Sequence, residues 1–454
     1  MQIKITALLF SIASCAFSQN PQPSAAAPVP DLLKDSASRP PIRLEQFQQF
    51  ALAANPSLRQ ANALVWQSAG EARQAGLYPN PSVGYQAEQI RGGSYGGGEQ
   101  GAFVQQTFVL GGKLGLRREV FEQQRRSNEI GVSEQRYRVL NDVGQSFYSA
   151  LGAQEVVKAR GRLMSLSLDA VATARQLANV GQADAPDVLQ AEVEAEQAQL
   201  DYTTAQRTYI QMFRTIAALA GKPELPLSPL DGSLETPPSI DAAQIVEQIV
   251  RDSPLAKRAQ QEIRRAEAEL KSAKRESVPD LQIHAGIQQN FERLSQNPAL
   301  SVGLQAFATA GIMLPIFNRN QGNVAAAKAS IEGAHAEAAR VLLSLRQSMQ
   351  PLLQSYLSSQ LEATRYKNEI IPRAERAYRL YLQKYQQMGA AYPQVLVSQR
   401  TLFQLQVGYI NALETLWTTA IDLQNYALSS GLSAPTASGS ISTTLNLPNT
   451  NTGN

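Results

Sequence analysis

The most constraining feature of this chain is an apolar heptad pattern that occurs twice. Adding 207 to the residue numbers of the first set gives the second set, in which most positions are again apolar. The first set is Val188, Ala191, Ala195, Ala198, Tyr202, Ala205, Tyr209, Met212, Ile216 and Leu219, and the second is Val395, Ser398, Leu402, Leu405, Tyr409, Ala412, Leu416, Thr419, Leu423 and Tyr426. Spacing of alternately three and four residues is typical of helices that pack along a seam. We therefore expect two copies of one helical unit.

Other landmarks recur at similar offsets, since Pro186 matches Pro393 and Asn55-Pro56 matches Ser253-Pro254. Each copy is predicted to contain a helix, two strands, a long helix, a tight turn and a final helix. The copies are assigned to residues 43–221 and 254–432, and a linker at 222–253 with several prolines joins them. In copy one, residues 113–180 contain no proline, and a continuous helix there would be roughly 100 Å long. Its counterpart, 322–388, contains Pro351 and Pro372 and should be kinked or interrupted.

Four segments between the helices alternate with a period of two and predict strands at about 81–91, 101–111, 280–290 and 301–314. One face of each is apolar and the other is largely polar, and His284 falls on the polar face. A half-buried soluble sheet would show the same alternation, yet each segment approaches the roughly 9 to 11 residues that cross a bilayer at a tilt. Four strands cannot close a membrane barrel, so strands in lipid must combine with those of other chains.

Both ends of the chain differ in composition from the repeats. An apolar run at 5–13 follows Lys4 and predicts a secretory signal, cleaved either after Ser18 (signal 1–18) or at a lipobox-like Ile12-Ala13-Ser14-Cys15 (signal 1–14). The second alternative would leave Cys15 as a lipidated first residue. Residues 19–42 form a Pro-rich linker, and the uncharged segment 433–454 is expected to be disordered.

Composition argues against several function classes. With one cysteine and two histidines, neither an internal disulfide nor a metal site is predicted, and nothing calls for a cofactor. A net charge of +3 gives no electrostatic reason to expect nucleic acid. The Gly-rich run 92–98 lacks the Lys-Ser/Thr ending of a phosphate loop, and no constellation of nucleophile, acid and base suggests an enzyme.

Two motifs at predicted strand-to-helix junctions resemble the TolC family of outer-membrane efflux channels. They are Gln106-Thr107-Phe108-Val109-Leu110-Gly111-Gly112-Lys113 and Leu314-Pro315-Ile316-Phe317-Asn318-Arg319-Asn320-Gln321-Gly322-Asn323. They are most similar to the branch that serves resistance-nodulation-division pumps, including heavy-metal cation pumps.

The resemblance implies a mainly α fold with a small β part. Three chains would form a 12-stranded outer-membrane β-barrel continuous with a 12-helix α-barrel in the periplasm, with the linker 222–253 at an equatorial belt. It further implies a passive conduit for metal cations or drugs, whose partners are a periplasmic adaptor (a membrane fusion protein), an inner-membrane pump and outer-membrane lipid. The alternative from another class is a soluble periplasmic coiled-coil scaffold or pump adaptor, which would use the same heptads for protein contacts only.

The resemblance also places the periplasmic tips at the two tight turns. The expected adaptor contacts are Gly181, Ala183, Pro186, Gly389, Ala390 and Pro393. Each turn pairs a Gly, permissive at a helix C-terminus, with a Pro suited to the first turn of a helix, so the same residues also have a purely structural explanation.

A gate near these tips is the last feature that the resemblance suggests. Where the family commonly carries gate acids, this chain has Gln394 and Val397. Asp184 and Asp187 are the remaining local carboxylates, and either could belong to a gate. Asp187 has a second interpretation, because a carboxylate in the first turn stabilises a helix N-terminus.

Overall fold

The computed structural model describes residues 31–36, 38–90, 98–181, 183–294, 297–387 and 392–435. The signal segment, Cys15, Gly389, Ala390, most of the Gly-rich run and most of the C-terminal tail lie outside the described residues.

The elements occur in the same order in both halves of the chain. The first half contains β1 Ile42–Arg43, α1 Leu44–Ala54, α2 Pro56–Ala75, β2 Ser82–Glu88, β3 Glu99–Phe108, α3 Lys113–Asn179 and α4 Ala185–Leu219. The second contains β4 Leu230–Asp231, α5 Ile245–Asp252, α6 Pro254–Arg275, β5 Leu281–Leu294, β6 Asn297–Ile312, α7 Gln321–Arg365, a π-helical turn Tyr366–Ile370, α8 Ile371–Gln386 and α9 Tyr392–Gln424.

Helix α5 lies inside the segment 222–253 that the sequence assigns to a linker. It is the counterpart of α1, because the helix that follows each begins with the same capping arrangement. The Asn55 side chain accepts a hydrogen bond from the Ser57 amide at 2.9 Å, and the Ser253 hydroxyl accepts one from the Leu255 amide at 3.2 Å. The second helical unit therefore starts at Ile245 rather than at residue 254.

Helix α3 is one uninterrupted helix of 67 residues. The small seam residues Ala191, Ala195 and Ala198 of α4 are buried, which lets α3 and α4 approach closely along their length. In the counterpart, α7 continues through Pro351, and the interruption falls at the π-helical turn just before Pro372. A proline removes one amide and crowds the carbonyl four residues before it, and a widened turn relieves both.

The sheet is antiparallel with strand order β2-β3-β5-β6, so β2 and β6 each have one edge without a partner strand among the described residues. Strand β2 ends at Glu88, three residues before its expected end, whereas β5 continues to Leu294 and β6 begins at Asn297. The β5–β6 hairpin is thus longer than the alternation alone indicates, with a register shift after Asn290.

The main hydrophobic core lies midway along the helices, where the linker between the halves is packed. Phe47 of α1 contacts Phe147 of α3 and Phe213 of α4, each with ring centroids 6.1 Å apart. Trp417 of α9 stacks on Tyr148 at 3.9 Å and donates a hydrogen bond to the Leu234 carbonyl at 2.9 Å. Together with the parallel pairing of β1 and β4, these contacts hold 222–244 against the helices.

A buried ion cluster joins α3 to α6. Glu134 is hydrogen-bonded to Arg138 at 2.5 Å and to Arg258 at 3.2 Å, through its two different oxygens. All three side chains are at most 7% exposed. Nearby, the Ser127 hydroxyl donates to Glu262 at 2.6 Å, so buried polar contacts join these two helices at more than one level.

Two half-buried carboxylates lie where the chain turns back after α9. Asp142 accepts hydrogen bonds from the amides of Ser430 and Gly431 at 3.2 and 2.6 Å, and Asp422 accepts one from Asn141 at 2.9 Å. Burial raises the pKa of both aspartates, and the charge of Asp142 raises the pKa of Asp422 further.

The raised pKa values predict a pH dependence of stability. A carboxyl that holds its proton more tightly when folded stabilises the protein at low pH and loses that contribution as the pH rises through the folded-state pKa. The thermal midpoint should therefore rise as the pH is lowered from neutral through the raised folded-state pKa of each aspartate. Asp422→Asn should raise the midpoint at neutral pH and flatten the profile. The exposed Asp169→Asn of α3 is the control, and a profile for Asp422→Asn that matches wild type would contradict this assignment.

Candidate functional site

The register of the sheet separates its side chains into two faces of opposite character. Phe103 and Phe307 both pair with Gly286, and Gln105 and Thr309 both pair with His284, so these residues lie on one face. That face is otherwise composed largely of neutral polar residues and glycines. The other face is apolar, and several of its side chains are strongly exposed. They include Val83, Tyr85, Val104, Ile287, Leu304 and Ile312.

No helix in the described part of the chain is both long and apolar enough to cross a membrane.

A row of rings crosses the polar face at one level. The His284 ring lies between Phe103, with centroids 4.8 Å apart, and Phe307, 5.2 Å apart. Each phenyl ring covers a glycine on the neighbouring strand. A Cβ atom on Gly84 would lie 2.7 Å from Phe103 Cζ, and one on Gly286 would lie 2.6 Å from Phe307 Cζ.

The sequence alone places His284 on the polar face but does not reveal the row. The row depends on the pairing of β3 with β5, which come from two different repeats. Only a signal that aligned the two repeats in space could have revealed it.

The turn between α3 and α4, the first of the two expected tips, contains a glycine with positive φ and the N-cap of α4. Gly181 follows α3 with φ of +74°, a conformation that residues with a Cβ atom rarely adopt. Asp184 is the N-cap residue of α4, Pro186 lies in its first turn and Asp187 is the acidic residue of that turn. Ala183 lies between Gly181 and α4 and is partly exposed.

The second expected tip is the turn between α8 and α9, of which the structure describes the residues from Tyr392 onward. Pro393, Gln394 and Val397 lie in the first two turns of α9, and the Val397 side chain is 64% exposed. Tyr392 lies 5.5 Å, centroid to centroid, from Tyr385 of α8 and packs against the apolar contact of α3 with α4. Burial raises the pKa of Tyr392 to about 12, with smaller contributions from Tyr385, Tyr378 and Asp187. The two tips are therefore neighbours, and Asp187 acts electrostatically on tyrosines of the second one.

Salt bridges connect the helices between the tips and the core. Arg175 of α3 pairs with Glu192 of α4 at 2.6 Å, and Arg160 of α3 pairs with Asp201 of α4 at 2.9 Å. Arg400 of α9 pairs with Glu194 of α4. In the described ranges, no group of three or more His, Cys, Asp or Glu side chains is arranged to hold a metal ion. The surfaces that remain as candidates are the two faces of the sheet and the tips.

A family model described as outer membrane efflux protein matches residues 48–222 and 245–427, which is most of both halves. The chain belongs to the outer membrane efflux protein family. Its two matched segments coincide with the two helical units, and the second begins at the start of α5.

Two relatives and one solved structure are similar to this chain over most of its length. The cobalt-zinc-cadmium resistance protein CzcC of Cupriavidus metallidurans is 27% identical over 381 residues, covering 84% of this chain and 88% of CzcC. The nickel-cobalt-cadmium resistance protein NccC of Alcaligenes xylosoxydans xylosoxydans is 24% identical over 304 residues, covering 66% of this chain and 67% of NccC. The crystal structure of CusC superimposes with a TM-score of 0.68 at 17% identity, covering 85% of this chain and 92% of CusC.

Family membership confirms the predicted class. This outer membrane efflux protein is an outer-membrane channel of an efflux system with a helical periplasmic extension, and a soluble periplasmic scaffold is not favoured. The family is one of transport channels rather than enzymes.

Proposed function

We propose that three copies of this chain assemble into a passive conduit, with the apolar sheet face in lipid and the polar face lining the lumen. The observation that carries this proposal is the sheet itself, which has an uncovered apolar face and two edges, β2 and β6, without partner strands among the described residues. Hydrocarbon does not tolerate an open sheet edge. Three copies of the four-stranded sheet would supply 12 strands and remove every edge.

The lumenal face supports passive passage rather than binding. Its polar groups near the ring row are neutral amides and hydroxyls, such as Gln105, Gln282 and Thr309, with His284 as the imidazole. A site that selected one metal would need several thiolate, imidazole or carboxylate ligands in a fixed geometry. Selection of the cargo is therefore assigned to an inner-membrane pump, which delivers it through a periplasmic adaptor.

Metal cations are the proposed cargo, ahead of drugs. This choice rests on CzcC and NccC, whose names assign them to cobalt, zinc, cadmium and nickel resistance.

Two deletion strains test the function. One lacks this channel, the other lacks its partner pump, and both are tested against zinc, cobalt, cadmium and nickel salts and against a panel of drugs. We expect matching sensitivity profiles with the largest change for metals. Sensitivity to drugs alone would overturn the proposed cargo. Tight, stoichiometric binding of one metal by the purified channel, measured by calorimetry, would overturn the passive mechanism.

The proposed adaptor contacts are at the tips. Ala183, in the turn between α3 and α4, is partly exposed there. Ala183→Glu should impair metal efflux severalfold while oligomer yield stays normal, because a buried charge opposes docking of an apolar helical partner. The control is Ala243→Glu, at an exposed position beside α5 and far along the chain from the tips. Ala390, in the second turn, should behave like Ala183. A parallel fall in oligomer yield would leave only the structural role of these turns.

Asp187 is the proposed gate carboxylate to be tested first, since Gln394 and Val397 carry no charge. If three Asp187 side chains face the lumen, they concentrate cations, and Asp187→Asn should lower cation selectivity in bilayer conductance. Asp184→Asn, at the N-cap of the same helix, serves as the comparison. Unchanged selectivity would remove Asp187 from the gate. A small loss of stability, about 0.3–1 kcal/mol, would then identify it as a helix N-terminal residue.

A further inference from the structure

The helix-side ends of the four sheet strands form one continuous structure, which we name the junction belt. It comprises residues 73–81, 109–118, 271–280 and 313–320. Lys113 donates to the Val278 carbonyl at 2.9 Å and pairs with Asp280 at 2.6 Å, which joins the start of α3 to the residues before β5. Asn320 donates to the Ala273 carbonyl at 2.7 Å, which joins the start of α7 to the end of α6.

The remaining connection is between α2 and α3. A Cβ atom on Gly76, which ends α2, would lie 3.3 Å from the Arg118 side chain. These contacts connect the segments at the helix-side ends of all four strands. Side chains of similar chemistry on these segments therefore belong to one surface.

The sheet-proximal part of the belt is strongly apolar and exposed. In the segment after β6, Met313 is 79% exposed and Phe317 is 91% exposed, with Leu314 and Ile316 between them also exposed. Tyr78, before β2, is exposed as well. These side chains lie in the segments that connect the sheet to the helices, next to the exposed apolar residues of the strands. An exposed apolar run that extends a lipid-facing surface, with an aromatic ring at its margin, is typical of the boundary between hydrocarbon and headgroups.

The helix-proximal part of the belt is basic. Arg73 near the end of α2, Lys274 and Arg275 at the end of α6, and Arg319 before α7 are all exposed. Within the described residues, no acidic group forms a salt bridge with any of these four. The belt's own acids are engaged elsewhere, since Glu276 pairs with Arg117 at 2.7 Å and Asp280 pairs with Lys113. The four cations therefore present uncompensated positive charge immediately beyond the apolar surface.

The opposite end of the sheet does not share this charge. Its described charged residues are Glu88, Glu99, Glu292 and Arg293, so acids outnumber bases there. The asymmetry shows that positive charge is a property of the helix-side end and not of the sheet in general.

We propose that the junction belt binds the anionic headgroups of phospholipids in the periplasmic leaflet of the outer membrane. The apolar segment would contact the acyl chains, and Arg73, Lys274, Arg275 and Arg319 would hold the phosphates. Guanidinium and ammonium groups bind phosphate well, and basic residues next to a membrane segment recognise anionic lipid. This inference rests on the placement of the sheet in lipid, which belongs to the proposed function.

The test compares two variants of equal charge change. The belt variant carries Arg73→Gln, Lys274→Gln, Arg275→Gln and Arg319→Gln. The control variant carries Arg207→Gln, Arg376→Gln, Arg379→Gln and Lys384→Gln, which removes four exposed cations from α4 and α8. Each protein is purified in a neutral detergent and titrated with phosphatidylglycerol or phosphatidylcholine, and protein-bound lipid is counted by native mass spectrometry.

Wild type and the control variant should bind phosphatidylglycerol in preference to phosphatidylcholine, and the belt variant should bind phosphatidylglycerol at least about tenfold more weakly. Added salt should weaken the preference. Equal binding of the two lipids by wild type would overturn the proposal, as would equal losses in both variants. If the belt variant fails to fold, Arg275→Gln alone is compared with Arg379→Gln. Because this measurement needs neither pump nor adaptor, a failed efflux assay and a failed lipid assay are distinguishable.

Discussion

Replacing Glu134 with alanine should destabilise the protein by about 3–5 kcal/mol, enough to abolish most of the recoverable channel. The carboxylate is shared by Arg138 and Arg258, and all three side chains are almost completely buried. Removing it takes away the carboxylate that two guanidinium groups share in a region of low dielectric. The measurement is the thermal midpoint of the helical circular dichroism signal, together with the yield of heat-resistant oligomer.

Glu155→Ala is the matched control, because it breaks an ion pair on the same helix that is exposed to solvent. Glu155 and Lys158 lie 2.7 Å apart, with side chains 36% and 57% exposed. Exposed pairs contribute about 0–1 kcal/mol, so the control should stay close to wild type. Glu134→Gln keeps a hydrogen-bond acceptor but loses the charge and should fall between the two. Similar midpoints for Glu134→Ala and Glu155→Ala would show that the buried cluster does not stabilise the α3–α6 contact.

Gly286→Ala should strongly reduce assembly, with a cost of about 1–3 kcal/mol in each chain. A Cβ atom at this position would lie 2.4 Å from the backbone oxygen of Ala102 on β3 and 2.6 Å from the Phe307 ring. Rotation can move a ring, but the carbonyl is fixed by the pairing of β3 with β5. The strands would have to separate at the point where the two repeats meet. The measurement is the fraction of membrane-inserted protein that resists denaturation in detergent.

Gly311→Ala provides the control, since Gly311 lies on β6 and pairs with Gln282. A Cβ atom added there would meet nothing within 4 Å apart from its own chain neighbours. Assembly of this variant should match wild type. If Gly286→Ala also assembles normally, the β3–β5 contact tolerates a local shift, and the close approach of strand and ring is not required.

The sequence predicts those parts of this fold that depend on the order of residues along one element. The heptad spacing identifies the buried faces of α4 and α9, since Ala191, Ala205, Val395 and Leu416 are all buried, and the absence of proline predicts the continuous α3. Periodicity reports which face of an element is apolar without reference to any other element.

Features that depend on distant segments are not predictable in this way. Glu134 and Arg258 are 124 residues apart, and each alone looks like an ordinary surface charge on a helix. The ring row needs the registers of β3, β5 and β6 at once. Helix α5 is not predicted for a different reason. It has only eight residues and follows a Pro-rich stretch, so its apolar periodicity extends over too few residues to be recognised.

The exposed edges of β2 and β6 also affect how a newly synthesised chain behaves before assembly. Among the described residues of a single copy, β2 and β6 each have an edge without a partner strand, beside an exposed apolar surface, and this combination favours pairing with other polypeptides. In the proposed assembly, association of copies would cover these edges, so completion of the sheet would depend on protein concentration. Overproduction should therefore fail first through aggregation of unassembled chains in transit, and slower synthesis should restore the yield.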